Sequence, residues 1–162
     1  VLEELVGSAL HRTQRERAGH EVTVRLPADL PLLFLDGLLM EQVFVNLLVN
    51  AAQAIPEGRL GDNEIRVETR LADEGHIVVE VQDTGCGMTQ EDRKRIFDPF
   101  FTTRLKGGGT GLGLSVAHGI IEDHGGRMEL VPATRRPGVG ACFQIVLPVE
   151  KSELGIPTGL EP

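Results

Sequence analysis

The sequence predicts a two-layer α/β sandwich: a mixed, mostly antiparallel sheet covered on one face by about three helices. Two observations carry this. Short segments alternate apolar and polar residues with period two, the pattern of strands with one face buried and one wet. Longer segments place apolar residues along one side at helical spacing. A sheet that is wet on one face needs a single covering layer, and the helices supply it.

In chain order, residues 1–17 read as an amphipathic helix, with Leu2, Leu5, Val6, Ala9 and Leu10 on one side. Residues 21–26 alternate and read as a strand. Pro27 and Pro31 then mark a loop, and Asp36 is placed to cap a helix running to Ile55, which Pro56, Gly58 and Gly61 end. Three further strands follow from alternation. In the first, Ile65, Val67, Thr69 and Leu71 oppose Glu64, Arg66, Glu68 and Arg70; in the second, Ile77, Val79 and Val81 oppose Glu80 and Gln82; the third carries Phe143, Ile145 and Leu147 on one face. Met88–Thr110 has room for only a short helix near 89–96, and a loop this long inside a compact domain is usually functional. A last helix spans 111–123 and is closed by Gly125 and Gly126. Residues 1–148 are expected to form one domain and 149–162 a loose tail.

The bulk composition excludes several classes. The chain has 162 residues and a formal net charge of −8, which argues against nucleic acid as a partner. No apolar run approaches the roughly 18 to 20 residues that span a bilayer, and residues 1–17 are too charged for a signal peptide. A cytoplasmic location is therefore expected. The two cysteines, Cys86 and Cys142, lack metal-ligand spacing and read as free thiols.

Three segments could carry chemistry. Asn46 and Asn50 lie four apart on one face of an otherwise apolar helix. Their amides either bond to neighbouring backbone or offer oxygen to a hard cation such as Mg²⁺. Asp83 shares the parity of Ile77, Val79 and Val81, so it points inward where its strand ends. A carboxylate only accepts hydrogen bonds, which suits the amine of adenine and repels the carbonyl of guanine; the alternative is an Asp-led turn with Gly85 and Gly87. The run Lys106, Gly107, Gly108, Gly109, Thr110, Gly111, Leu112, Gly113, Leu114 enters a helix, an arrangement that aims several N–H groups at an anion. Thr102, Thr103 and Arg104 stand just upstream; the alternative is a flexible linker. No Gly-Lys pair occurs, so there is no P-loop, and the glycines do not fit the dinucleotide fingerprint.

Taken in order over residues 20–148, these segments resemble the catalytic domain of sensor histidine kinases. NLLVNAAQAI resembles the N box, DTGCGM the G1 box, IFDPFFTTR the F box, GGGTGLGLSVAHGIIEDHGG the G2 box and GVGACFQIVLP the last glycine box. The F and G2 boxes look most like those of nitrogen-sensing kinases, and LPLLFLD like potassium-sensing ones. The resemblance implies the Bergerat fold shared with gyrase and Hsp90, and ATP and Mg²⁺ as ligands. It implies that Asn50 binds Mg²⁺ with Asn46 near the phosphates, the pair forming the catalytic set. It further implies that Asp83 holds the adenine amine and that residues 97–110 form a lid. Gly109, Gly111 and Gly113 would line the phosphates, and Gln53, Gly85, Gly87, Met88 and Phe97 would complete the nucleotide site.

Two positions depart from the family pattern: Gln53 stands where many relatives have Lys, and Ala141 where Thr is common. The histidines, His11, His20, His76, His118 and His124, all lack the phosphoacceptor context. His118 and His124 are expected to pack or cap. The implied partners are the phosphoacceptor and dimerisation domain of the same kinase and, downstream, a response regulator. The isolated domain is expected to be a monomer. The alternatives are an ATP-hydrolysing clamp, which would want Glu at position 46 as general base, and a non-catalytic docking module.

Overall fold

The structure, a computed structural model, describes residues 2–31, 33–56, 63–73, 75–103, 109–132 and 139–149. Of the expected tail 149–162 only Val149 is described, its N–H donating to the Gly75 carbonyl at 2.8 Å; the rest lies outside the described residues. The element order is α1 (Leu2–Arg12), β1 (Glu21–Arg25), α2 (Gly37–Ala54), β2 (Glu64–Asp73), β3 (His76–Asp83), α3 (Gln90–Arg93), α4 (Gly113–Asp123), β4 (Arg127–Val131) and β5 (Cys142–Pro148). The strands form one five-stranded sheet in the order β1-β2-β3-β5-β4. Only β1 and β2 run parallel; the other pairs are antiparallel. The mixed sandwich expected from alternation is the fold found.

Local chemistry sets the helix ends. Asp36 caps α2 as expected, its Oδ1 accepting from the N–H groups of Leu38 and Leu39 at 3.0 Å. α1 stops at Arg12 rather than near residue 17. There the Thr13 hydroxyl donates to the Ala9 carbonyl and Arg17 donates to that of Leu10, so side chains satisfy the last carbonyls and the chain turns away. α1 is pinned to α2 through Glu41. Hydrogen bonds from Ser8 and Arg12 hold the Glu41 carboxyl below its usual range.

The core lies between the helices and the inner face of the sheet. Val6, Met40, Phe44, Leu47 and Leu48 meet Ile65, Val67, Ile77, Val79, Val81, Phe143, Ile145 and Leu147, all essentially inaccessible. Burying each such large side chain contributes about 1.5–3 kcal/mol.

Two details depart from the sequence pattern. Leu71 was expected inward but is 54% exposed, because it lies in the outer end of β2, beyond Thr69, the last buried residue of that strand. The outer face is not uniformly wet: Val78, Cys142 and Val146 are buried there. Long charged side chains cover that face, with Arg66 paired to Glu64 and Glu68, Arg70 to Glu80, and Gln144 donating to Glu80.

Candidate functional site

α2, the loop after β3, α3 and the start of α4 enclose a cavity of about 490 Å³. That volume suits a ligand of nucleotide size. Asn46, Asn50 and Gln53 reach it from one face of α2, together with Val49 and Ala54. Gly87 and Met88 line it from the loop after β3, and Thr102, Thr103, Gly109, Thr110, Gly111, Gly113 and Leu114 from the segment leading into α4. The paired amides and the glycine turn, separate in sequence, thus share one wall. Arg104, Lys106, Gly107 and Gly108 lie outside the described residues.

Asp83 and Gly85 do not line this wall: Gly85 lies behind Ala54, and Asp83 behind Gly85. Asp83 is 1% exposed, and its Oδ1 accepts from Gly85 N at 2.8 Å and from Ala141 N at 3.3 Å. Gly85 is pressed against the carbonyl of Ala54, which is itself on the wall. Cys86 N donates to that same carbonyl at 3.1 Å. The third side of the carboxylate's seat is Gly140, whose φ is +69°; a Cβ there would come within 1.9 Å of the Asp83 carbonyl oxygen. Only glycine allows this approach.

Phe97 and Leu112 are not on the wall. The Phe97 ring stacks on His118, with centroids 4.4 Å apart, and meets the edge of Phe143, so it belongs to the packing beneath the site. Leu112 occupies the N-cap position of α4 and makes no side-chain cap. The helix therefore begins with orphan N–H groups beside the cavity-lining Gly113 and Leu114, a setting that favours an anion.

The neck of the expected lid is clamped by backbone. Phe100 N donates to the Gly111 carbonyl at 2.9 Å, and Phe100 has φ of 66°, the left-handed region that side chains rarely adopt. Gly111 has φ of +69°, and a Cβ would lie 2.5 Å from the Phe100 carbonyl carbon. Strain of this kind gathers at functional sites.

α4 is joined to α2 at both of its own ends. Near the cavity, Asn46 Nδ2 donates to the Gly113 carbonyl at 3.0 Å. At the far end, His124 Nδ1–H donates to the Ile120 carbonyl at 2.7 Å, and its Nε2 accepts from Asp36 N at 3.1 Å. This partner set requires the neutral ring with the proton on Nδ1. His118 packs and His124 caps, as expected.

Sequence reasoning did not single out Val49, Ala54, Cys86, Asp92 and Ile96, all on the cavity wall; Phe101, also there, lies within the expected lid. Val49 and Ala54 carried a usable signal, since they fall three and four residues from Asn46 and Asn50 on the same helix face. Ile96 and Phe101 fall in the segment IFDPFFTTR that resembles the F box, whereas Asp92 carried no signal, because its placement depends on the path of a one-turn helix.

The donor set fits magnesium and phosphate. Among the described residues no group of three or more His, Cys, Asp or Glu side chains could hold a metal. A cation here would rest on an amide oxygen from Asn50, phosphate oxygens and water, the ligands that Mg²⁺ accepts. No described helix is long and apolar enough to cross a membrane.

The model of the histidine kinase-, DNA gyrase B- and HSP90-like ATPase family matches residues 35–151. The sensor protein KdpD of Clostridium acetobutylicum is 36% identical over 154 residues, covering 93% of this chain and 16% of that protein. The sensor histidine kinase ZraS of Klebsiella oxytoca is 38% identical over 159 residues, covering 95% of this chain and 32% of that protein. The chain thus spans a third or less of these relatives. Among solved structures, the mycobacterial sensor histidine kinase MprB superposes with a TM-score of 0.74 at 28% identity, covering 91% of this chain and 93% of the other. The catalytic domain of the histidine kinase ThkA does so with a TM-score of 0.75 at 26% identity, covering 91% and 92%. Matched over most of its length by the family model and over nearly all of it by kinase catalytic domains, the chain belongs to the histidine kinase-, DNA gyrase B- and HSP90-like ATPase family, as a catalytic domain of the sensor histidine kinase type.

Proposed function

We propose that the chain binds ATP with Mg²⁺ between α2 and α4 and presents the γ-phosphoryl group to a histidine on a separate dimerisation domain, from which a response regulator receives it. The observation that carries this reading is one cavity shared by Asn50, the glycine turn and the uncapped start of α4, with Gly85 and then Asp83 behind its Ala54 wall. In this reading Asp83 accepts the adenine amine once the base has moved aside the Ala54–Gly85 contact that now separates it from the cavity. The orphan N–H groups of α4 and the hydroxyls of Thr102, Thr103 and Thr110 hold the phosphates, and Asn50 would hold Mg²⁺. When bound, Mg²⁺ neutralises phosphate charge. The phosphorus leaves the bridging oxygen of ADP for an imidazole nitrogen. This transfer asks the protein for alignment and charge compensation rather than for covalent chemistry.

The hydrolysing-clamp reading wants a general base where Asn46 stands. An amide there cannot take a proton from water, so only very slow hydrolysis is expected.

The two thiols provide a test. Cys86 is exposed at the cavity wall, whereas Cys142 is buried and its thiol is pushed up to about 12, first by burial and then by the charges of Glu80, Asp83 and Glu68. Below that value Cys142 stays protonated and inert. An alkylating reagent at pH 8 is expected to modify Cys86 alone, and saturating ATP·Mg²⁺ should slow it at least tenfold while GTP does not. Equal rates with and without ATP would contradict the reading. Incubation with γ-labelled ATP is expected to leave this chain unphosphorylated, since none of its histidines has the acceptor context.

A further inference from the structure

Asn46 makes two hydrogen bonds whose directions are not interchangeable. The Gly113 carbonyl can only accept, so the Asn46 atom facing it at 3.0 Å must be Nδ2. That fixes Oδ1 on the other side, where Gln42 Nε2 donates to it at 2.9 Å. Gln42 lies one helical turn before Asn46, and Asn50 one turn after, so the acceptor atom of Asn46 is turned away from Asn50. The plane of the Asn46 amide also packs against Gly113, where an added Cβ would meet its Cγ and Oδ1 at 3.7 Å.

We propose that Gln42, Asn46 and the Gly113 carbonyl form a one-way relay that fixes the start of α4 against α2, with Gln42 a positioning residue and Asn46 a strut rather than a metal ligand. The donors pass in one sense only: Gln42 to Asn46, then Asn46 to the backbone of the glycine turn. The Gln42 amide thereby selects the orientation of a side chain that borders the cavity. The relay holds the orphan N–H groups of α4 where the phosphates are to lie, which leaves Asn50 as the sole amide ligand for Mg²⁺. This part rests on the nucleotide reading above; the relay itself does not.

Gln42→Glu keeps the shape but places an acceptor against Asn46 Oδ1. The amide then either loses that partner or turns over and sets its oxygen against the Gly113 carbonyl. Gln42→Met removes the donor without adding charge. Asn46→Asp discriminates most sharply. A carboxylate is a stronger magnesium ligand than an amide, yet it cannot donate to Gly113.

The test measures amide hydrogen exchange at Val116 and Ala117 without nucleotide, and the affinity for ATP with and without Mg²⁺. Exchange at least tenfold faster in all three variants, with Mg²⁺-dependent ATP affinity falling tenfold or more, is the expected result. Unchanged exchange in Gln42→Glu and Gln42→Met, or Asn46→Asp binding ATP·Mg²⁺ as tightly as the wild type, would overturn the relay. A wild type that fails to bind ATP while the exchange contrast persists would sink the nucleotide reading and leave the relay standing.

Discussion

Asp83→Asn is expected to weaken ATP binding by about 10- to 100-fold and to narrow the preference for ATP over GTP. A hydrogen bond to a charged group contributes about 1.5–3 kcal/mol, which is a factor of that size in affinity. The amide that replaces the carboxylate can also donate, so the carbonyl of guanine is no longer repelled. The same change costs stability. Gly85 N and Ala141 N both converge on Asp83 Oδ1, and Asp83 is almost wholly buried. An amide group turned the wrong way sets donor against donor, and each buried unsatisfied group costs about 1–3 kcal/mol. Calorimetric titration with ATP and GTP, beside urea unfolding, separates the two effects. Unchanged affinity with lowered stability would leave Asp83 a purely structural role.

The second large effect is structural. Gly140→Ala is expected to destabilise the fold by about 3 kcal/mol or more, through two additive causes. The residue sits at φ of +69°, where a side chain is strained, and the new Cβ would lie 1.9 Å from the Asp83 carbonyl oxygen. Backbone cannot yield as a flexible side chain would, so the turn before β5 must move away from the end of β3. That movement opens the seat of the Asp83 carboxylate and lowers ATP affinity as well. Gly113→Ala is the control from the same glycine-rich chemistry. It begins a helix, has no positive φ, and its Cβ would make only ordinary contacts with Asn46. A change within about 1 kcal/mol is expected there. Similar urea midpoints for the two variants would contradict the close approach at Asp83.

These expectations show which parts of the site a sequence can disclose. Asn46 and Asn50 were legible because helical periodicity alone puts residues four apart on one face, and the apolar neighbours made two amides conspicuous. Asp83 was legible through parity, since it shares the face of Ile77, Val79 and Val81. Gly140 was not legible as the partner of Asp83, because 57 positions and an antiparallel register separate them, and only the pairing of β3 with β5 brings them together. β4 escaped for a different reason. Its RMELV sequence does alternate, but over only five residues directly after the glycines that close α4, too short a stretch to stand out as a strand. Phe97 sits in an aromatic-rich loop that resembles a lid, yet its ring is drawn into the packing with His118 and Phe143. Leu71 obeyed the alternation and was still exposed, because pattern reports which way a side chain points and not whether another layer reaches that far.

Backbone amide shifts during titration with ATP and Mg²⁺ test binding between α2 and α4 most directly. Saturable shifts are expected at Val49, Asn50, Ala54, Gly87, Gly109, Gly111 and Leu114, all on the cavity wall. Glu68, Glu80 and Gln144, which form the ion-paired outer face of the sheet, should remain still. Shifts confined to that outer face, or none that saturate, would contradict a nucleotide site in this cavity.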